Sequence, residues 1–230
     1  MSEFGAAFRF IFRDGQVPGR PPLPSLVHLT LHTLAVGGLG IAIALLIAIP
    51  VGVWLGHVHR GSFIAINVGN LGRALPSLAV LAIAVAFLGL GLANVELALV
   101  VLAIPPIVTN AYAGVDGVDR DLVDAARGMG MTEWAILRGV ELPLAVPLLF
   151  AGVRTAAVFV VATTTISALT GYSGTLGDVI NNEESYRLSG VLGGAICVAG
   201  LALTVELALA GAQRVLTPRG LRLGELYGIS

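Results

Sequence analysis

The 230-residue chain alternates long apolar runs with short polar segments, and the apolar runs have the length of membrane helices. A bilayer core of about 30 Å is crossed by about 20 apolar residues in a helix. Runs that reach this length without accumulating charge are therefore predicted to span the membrane. Five such runs are predicted, at residues 26–55, 74–92, 95–113, 144–169 and 190–212.

The start of the second run is open to two interpretations. Residues 62–73 are mildly apolar, and they form either the first turns of that helix or a stretch lying along the membrane interface. Asn67, Asn70 and Arg73 share one face if this stretch is helical. Prolines are expected to kink the membrane helices, because a proline lacks a backbone donor; such kinks either permit gating or are static. They are Pro76 in the second run and Pro105 and Pro106 in the third.

Composition supports a membrane protein. Hydrophobic residues make up 56% of the chain and charged residues 12%, and the mean hydropathy is +0.91. This is more apolar surface than one soluble core can bury. A net charge of −1 leaves no basic patch for nucleic acid. A single cysteine, Cys197, builds neither a disulfide framework nor a cysteine metal site, and we expect it to be a packing residue.

The N-terminal segment, residues 1–25, lacks the pattern of a cleavable signal peptide. We therefore expect a mature membrane helix to direct insertion. Phe4, Phe8, Ile11 and Phe12 fall at roughly helical spacing, which is typical of an interfacial helix. A disordered tail is the alternative.

The arginines predict the orientation of the chain. If residues 116–141 are cytoplasmic, more arginines lie inside than outside, which favours an external N-terminus and a cytoplasmic C-terminus. The predicted inner arginines are Arg60, Arg120, Arg127, Arg138, Arg214, Arg219 and Arg222, and the outer ones are Arg9, Arg13, Arg20 and Arg187.

The longest polar segment, residues 116–141, lies between the third and fourth runs. Asp119 is a predicted N-cap, Gly130 is suited to a helix stop, and Thr132 with Glu133 begins a second short helix. The two short helices have an apolar side but not the length to cross a bilayer. Spacing alone leaves two alternatives for that side, a partner protein or the lipid headgroups. Its residues are Leu122, Val123, Ala126, Met129, Trp134 and Leu137.

The polar segment resembles the signature loop of ATP-binding-cassette (ABC) importer permeases. That signature is Glu-Ala-Ala, three residues, Gly, nine residues and Ile-x-Leu-Pro. Asp replaces Glu and Val replaces Ile here, whereas all spacings are kept. The resemblance implies that this loop is the coupling helix that docks on a cytoplasmic ATPase; the proline also suits the first turn of the fourth membrane helix. The matching residues are Asp124, Ala125, Ala126, Gly130, Val140, Leu142 and Pro143.

A wider resemblance, to the permeases of glycine betaine, carnitine and choline importers, covers most of the chain. It implies an all-α, polytopic transmembrane bundle with the type I importer core of five or six helices. Residues 26–213 form the permease domain and residues 214–230 a cytoplasmic tail. The resemblance is carried by residues 75–85, 110–158, 171–178 and 216–220.

The resemblance also implies the partners: a cytoplasmic ABC ATPase, an external solute-binding protein, and a second permease copy or paralogue in the lipid bilayer. The chain contains no lysine and therefore no Walker Gly-x-x-x-x-Gly-Lys motif. ATP and Mg²⁺ are thus expected on the ATPase, and this chain is expected to be a transporter subunit, not an enzyme. The implied cargo is a small osmoprotectant; a permease of an amino-acid or methionine importer is the alternative.

Polar side chains inside the predicted spans are candidates for a translocation pathway, because polar groups facing lipid are unsatisfied. Serine and threonine can instead bond their own helix backbone. Arg154 is expected to face protein or water, and either to pair with a carboxylate or to cap backbone carbonyls; Glu206 is either its partner or an interfacial group. His28 and His32 have a spacing that permits a metal, but no third ligand is near, so none is expected. The pathway candidates are Thr109, Asn110, Arg154, Thr163, Thr164, Thr165 and Ser167.

Two other classes fit less well. A secondary transporter is expected to show repeated halves and ionisable residues near the membrane midplane. No repeat is visible in this sequence. A membrane enzyme would need a constellation of catalytic residues, and a scaffold would not need the signature loop.

Overall fold

The computed structural model describes residues 3–18, 23–59 and 61–217. Within these residues the chain is almost entirely helical and contains no β-strand. The helices are α1 (Glu3–Phe12), α2 (Leu26–His57), α3 (Ser62–Ala74), α4 (Ser77–Leu88), α5 (Leu92–Asp116), α6 (Arg120–Gly128), α7 (Glu133–Ile136), α8 (Leu142–Ile166), α9 (Leu176–Asn181) and α10 (Glu183–Leu216). The expected all-α fold is confirmed.

Among the described residues, four helical runs are long and apolar enough to cross a bilayer. Their mean hydropathies lie between 2.0 and 2.6. They correspond to the first, third, fourth and fifth predicted spans. The runs are Leu26–His57, Leu92–Asp116, Glu133–Thr170 and Glu183–Leu216.

The second predicted span, residues 74–92, is wrong as a continuous membrane helix. The run holds one helix of 12 residues, α4, and the preceding helix α3 is separated from it by Leu75 and Pro76. Pro76 has extended backbone angles (φ −67°, ψ 122°) and serves as the N-cap of α4. A proline has no amide hydrogen and disfavours helical angles at the preceding residue, so the helix breaks there where we expected a kink.

The prolines of the third span behave differently. Helix α5 continues through Pro105 and Pro106 from Leu92 to Asp116. These two prolines therefore interrupt no helix, and their role in gating stays a prediction.

The helices pack into two compact units, and each of the four long helices contributes to both. The first unit comprises Met1–Ile43, Leu75–Ala103 and Ala157–Val205. Its core joins the N-terminal helix to α2, α9 and α10, with Cys197 packed against it as expected. Its buried members are Phe10, Val17, Leu26, Leu29, Val161, Leu176, Val179, Tyr186 and Leu201.

The second unit comprises Ala44–Ala74, Ile104–Ala156 and Glu206–Ser230. One of its buried clusters joins α2, α5 and α8, and contains Val53, Ala111, Val115, Leu137 and Ala145. A second lies beneath the polar segment and contains Val118, Val123, Ala126 and Ile136. The polar segment is therefore held on a packed base.

Part of the predicted orientation concerns residues outside the described part of the chain. Arg20, Arg60, Arg219 and Arg222 lie outside it, as do all but the first two residues of the 216–220 match. Residues 62–73 are not the first turns of the second span, because they belong to the separate helix α3, on which Asn67 and Asn70 are exposed; the side chain of Arg73 is not described.

Candidate functional site

The first helix of the polar segment is α6, and its ends form as its sequence predicts. The side chain of Asp119 accepts a hydrogen bond from the Asp121 amide at 2.9 Å, which caps the helix. Gly130 has φ +83°, a left-handed conformation that costs glycine little, and it ends the turn after α6. The predicted N-cap and helix stop therefore lie where the chain needs them.

The turn between α6 and α7 is held by a small ionic network. Arg127 donates to both carboxylate oxygens of Glu133, at 3.0 and 3.2 Å, and to Asp124 at 3.0 Å. The hydrogen bonds to Glu133 raise the pKa of the Arg127 guanidinium above its usual value. Thr132 accepts from the Ala135 amide at 3.3 Å and caps α7 as predicted. A bidentate pair and a cap together define the direction of the turn.

The second short helix is not separate from the fourth membrane helix. Helix α7 passes through a π-helical turn, Leu137–Glu141, directly into α8. The amide of Leu142 donates to the carbonyl of Leu137, five residues back. Pro143 cannot donate and would crowd the carbonyl four residues before it, and the wider π-turn accommodates the proline. The polar segment is thereby continuous with a membrane helix.

The predicted apolar side of the polar segment divides into two. Val123, Ala126 and Leu137 are buried in the chain's own clusters. Leu122, Met129 and Trp134 are exposed, and the latter two have 77% and 67% of their surface accessible. Exposed large apolar side chains close together are typical of a surface that binds another protein.

The signature residues lie on both sides of this division. Asp124, Ala125 and Gly130 are exposed, whereas Ala126 is buried. Val140 packs against the cluster beneath the segment and Leu142 against the neighbouring one, while Pro143 lies in the first turn of α8. The motif thus combines residues that are exposed on the surface of the segment with residues that pack against the buried clusters beneath it.

A histidine at the end of α2 reaches the far end of the polar segment. Nδ1 of His57 donates to Oε2 of Glu141 at 2.6 Å, and the Glu141 side chain is only 1% exposed. Nε2 of the same ring lies 3.8 Å from Oε2 of Glu133. A buried carboxylate needs such a partner. His57 therefore connects α2 to both α7 and the π-turn.

A second histidine reaches the near end of the segment. Nδ1 of His59 donates to Oδ1 of Asp116 at 2.8 Å, and the Tyr112 hydroxyl donates to Oδ2 of the same carboxylate at 3.0 Å. Asp116 is the last residue of α5. The two histidines thus tie the end of α2 to both ends of the polar segment. Spacing along the chain does not predict this arrangement, because residues 57 and 141 are far apart in the sequence.

The pathway candidates are engaged with nearby backbone. Asn110 donates to the carbonyl of Pro106 at 2.8 Å, and Thr109 donates to the carbonyl of Ala65 at 3.1 Å. The hydroxyls of Thr164, Thr165 and Ser167 donate to carbonyls of their own helix run, and Thr163 is buried among them. These hydrogen bonds favour the alternative in which the serine and threonine hydroxyls bond to backbone carbonyls. A role of these residues in lining a pore stays a prediction.

Arg154 has a definite partner. Its Nε donates to Oε1 of Glu206 at 2.8 Å, its second terminal nitrogen also contacts that oxygen, and Nη1 donates to the Gln213 amide oxygen at 3.2 Å. A cation within a membrane helix is stabilised by such pairing. The pair links α8 to α10 within the second unit.

Two buried polar residues near the start of α5 were not singled out in the sequence. Asn94 and Glu96 are 1% and 8% exposed, and their side-chain oxygen and nitrogen atoms have no hydrogen-bond partner in the described residues. Oε2 of Glu96 lies 3.1 Å from the point that a Cβ on Gly40 of α2 would occupy. Burial raises the pKa of the nearby Tyr172 phenol, and the negative charge of Glu96 adds to the effect. The signal was an ionisable residue inside an apolar run.

The paired histidines of α2 have another role. His28 and His32 stack with ring centroids 6.4 Å apart, and His32 stacks on Tyr172 at 6.1 Å. Nδ1 of His32 donates to the carbonyl of Gly174 at 3.0 Å. The rings hold the loop before α9 against α2.

Known proteins resemble this chain along most of its length. It is 34% identical over 198 residues, which is 86% of this chain and 91% of the relative, to the glycine betaine/carnitine/choline transport system permease protein OpuCB of Bacillus subtilis (strain 168). It is 41% identical over 185 residues, 80% of this chain and 83% of the relative, to the carnitine transport permease protein OpuCB of Listeria monocytogenes. The choline transport system permease protein OpuBB of Bacillus subtilis (strain 168) is 36% identical over 203 residues, 87% of this chain and 93% of the relative.

The fold also has solved counterparts. An inward-facing structure of the MetNI methionine ABC transporter matches with a TM-score of 0.73 and 24% identity, covering 84% of this chain and 96% of that one. The type I importer fold expected from the resemblance is confirmed. The family of binding-protein-dependent transport system inner membrane components matches residues 27–221. This chain therefore belongs to that family and is a membrane-embedded permease subunit of a transporter.

Proposed function

We propose that this chain is the permease subunit of an ATP-driven importer for a small osmoprotectant of the glycine betaine, carnitine or choline type. The similarity to permeases named for these solutes, at 34–41% identity over most of the chain, supports the substrate class. The likeness to the methionine transporter is one of fold, so it gives no separate support to an amino-acid cargo.

The polar segment is the docking site for a cytoplasmic ABC ATPase. The observation that carries this assignment is the exposed apolar surface of Leu122, Met129 and Trp134, held on a capped and ion-paired turn. Such a surface fits a groove on a partner protein, since aromatic and methionine side chains are enriched at interface centres. Asp124 and Ala125 lie on the outward side of the same segment. ATP and Mg²⁺ belong to that partner.

Movement of the docked segment is transmitted to the membrane helices through two connections. The π-turn joins it to α8, and the two histidines join it to the end of α2. Alternating access requires that nucleotide on the ATPase and a loaded receptor favour different arrangements of the same permease pair. A segment attached at both ends can transmit that preference, whereas a loose one would not.

The remaining assignments complete the transporter. A second permease copy or paralogue forms the pore with this chain, and an external solute-binding protein delivers the solute. Residues 26–213 are the permease domain and residues 214–230 its cytoplasmic tail, with the N-terminus outside. The residues that line the pore are Thr109, Asn110, Arg154, Thr163, Thr164 and Ser167. Their hydroxyl groups exchange hydrogen bonds with backbone carbonyls for hydrogen bonds with solute or water. Pro105 and Pro106 make the third membrane helix flexible.

The experiment is ATPase activity of the reconstituted complex, measured with the binding protein empty or loaded with glycine betaine, carnitine, choline or methionine. We expect stimulation by the receptor loaded with an osmoprotectant. Replacing Trp134 by aspartate should abolish stimulation and co-purification of the ATPase, whereas Phe63→Asp, an exposed aromatic outside the polar segment, should leave co-purification intact. If only the methionine-loaded receptor stimulates ATPase activity, the substrate is an amino acid and not an osmoprotectant. If the Trp134→Asp variant still co-purifies with the ATPase and is still stimulated, the polar segment is not the docking site.

A further inference from the structure

A positively charged pocket lies in the first unit, between α1, the turn that follows it, and the start of α10. Its volume is about 270 Å³. Arg9, Arg13 and Arg187 line it together with Ser189, and the Nε of Arg9 also donates to the Gly5 carbonyl at 3.3 Å. No carboxylate lines it in the described part of the chain. We call this site the arginine pocket.

The floor of the arginine pocket is rigid. Phe10 packs edge-on against Tyr186, with ring centroids 6.0 Å apart and planes at 89°, and both rings are buried. The Gln16 side chain is held from both ends, since it donates to the Leu23 carbonyl at 2.9 Å and accepts from the Leu23 amide at 3.2 Å. The backbone that carries Arg13 and Arg187 is therefore attached to a packed frame.

The backbone at Arg187 is unusual. It has φ 59° and ψ 171°, at a kink that divides α10 into a short first part and the long apolar part that follows. A non-glycine residue rarely adopts this conformation, and it persists only where the surroundings enforce it. Here it accompanies an arginine that lines the pocket, with Tyr186 before it buried in the core. Strain at a binding residue is a common feature of functional sites.

A stripe of aromatic residues indicates where α1 lies. Phe4, Phe8 and Phe12 are exposed, the last with 86% of its surface accessible, and they occupy a face of α1 different from the one that carries the pocket residues. An amphipathic helix with such a face lies at the membrane boundary, with its aromatic rings among the upper acyl chains. Its arginines then lie at the depth of the lipid phosphates.

We propose that the arginine pocket binds the phosphate of an anionic phospholipid headgroup. Arginine presents a fixed fork of donors that matches phosphate oxygens, and three arginines line this pocket of about 270 Å³. A protein partner would need a contact area of about 800 Å² per side, which this pocket does not offer. The bound lipid would hold α1 against α10 and thereby attach the N-terminal segment to the membrane.

The test is binding of fluorescent phosphatidylglycerol to the purified, delipidated transporter complex in detergent. Arg13→Gln and Arg187→Gln should each weaken binding about fivefold, and the double variant about 25-fold. Arg13→Lys should recover part of the loss, because it keeps the charge without the fork. The matched control is Arg120→Gln with Arg214→Gln, which removes the same charge outside the pocket and should change binding less than twofold.

Several results would overturn the proposal. They are an unchanged double variant, an equal loss in the control, and equal affinity for zwitterionic phosphatidylcholine with the same acyl chains. Displacement of the lipid by millimolar inorganic phosphate would assign the pocket to a free anion. Loss of affinity for the binding protein, with lipid binding unchanged, would assign it to the receptor. Size-exclusion profiles of all variants establish that they are folded.

Discussion

Removal of the His57 side chain should separate ATP hydrolysis from transport. The Glu141 carboxylate is 1% exposed, and its described partner is the imidazole of His57 at 2.6 Å. His57→Ala strands that carboxylate in the protein interior. The connection between the end of α2 and the far end of the polar segment is lost at the same time, while the exposed apolar surface around Trp134 is unchanged.

The size of the effect follows from the burial of the pair. Removing one partner of a fully buried ion pair costs about 3–5 kcal/mol, because the other charge remains unpaired. His57 is 17% exposed, so water can reach the vacated space. We therefore expect the loss of one charged hydrogen bond, about 1.5–3 kcal/mol. By the scaling of globular proteins of this size, the melting temperature falls by about 3–12 °C.

The matched control is His59→Ala. That pair has a similar distance, 2.8 Å, but its side chains are 30% and 33% exposed. Pairs of this kind contribute about 0.2–1 kcal/mol, so the control should melt within about 4 °C of wild type.

The assay is the ratio of ATP hydrolysed to solute imported in proteoliposomes, at a temperature where both variants are folded. His57→Ala should bind the ATPase normally and hydrolyse ATP, yet import less solute per ATP; His57→Gln, which keeps a donor, should recover part of the import. If His57→Ala leaves both the ratio of ATP hydrolysed to solute imported and the melting temperature unchanged, the bond between His57 and Glu141 neither stabilises the protein nor couples the polar segment to α2.

Three further predictions concern packing, pairing and strain. Gly152→Ala places a methyl group 2.7 Å from the nearest carbon of α5, so thermal unfolding should show a free energy of unfolding lower by about 1–3 kcal/mol. Gly211→Ala has open space around it and should raise the free energy of unfolding by about 0.5–1 kcal/mol. Equal effects of the two substitutions would contradict the packing described. Glu206→Ala leaves the Arg154 guanidinium without its carboxylate and should lower the free energy of unfolding by about 1–3 kcal/mol. Replacing both residues by leucine should restore that stability. A double variant as unstable as the single one would be inconsistent with the pairing. Arg187→Gly should raise the melting temperature by about 2–4 °C through relief of backbone strain while weakening lipid binding, and a lower melting temperature would argue against strain at that position.

The long helices could be predicted from the sequence because their apolar runs are far longer than a buried soluble helix needs. Boundaries moved by a few residues, as for α5, which extends from Leu92 to Asp116 and not from 95 to 113. The second span was predicted too long because the average hydropathy of residues 74–92 outweighed the helix breakers at its ends. Pro76 precedes the first turn of α4, and Gly89 and Gly91, both at positive φ, follow its last residue, Leu88.

The polar segment was predictable in its local features and not in its attachments. Caps and turns depend on neighbouring residues, so Asp119, Gly130 and Thr132 could be assigned from spacing. The bond between His57 and Glu141 depends on how distant helices pack, which spacing does not record. The π-turn escaped prediction because it follows from relief of a proline clash inside a continuous helix, where no sequence break marks it.

Import by this chain is best tested through uptake of radiolabelled glycine betaine into proteoliposomes that also contain the proposed ATPase and binding protein. We expect uptake that requires ATP, is competed by carnitine or choline, and is lost in Gly130→Asp, where an aspartate is forced into φ +83° at the turn of the polar segment. Uptake that is indifferent to ATP and to this substitution would contradict the proposed function.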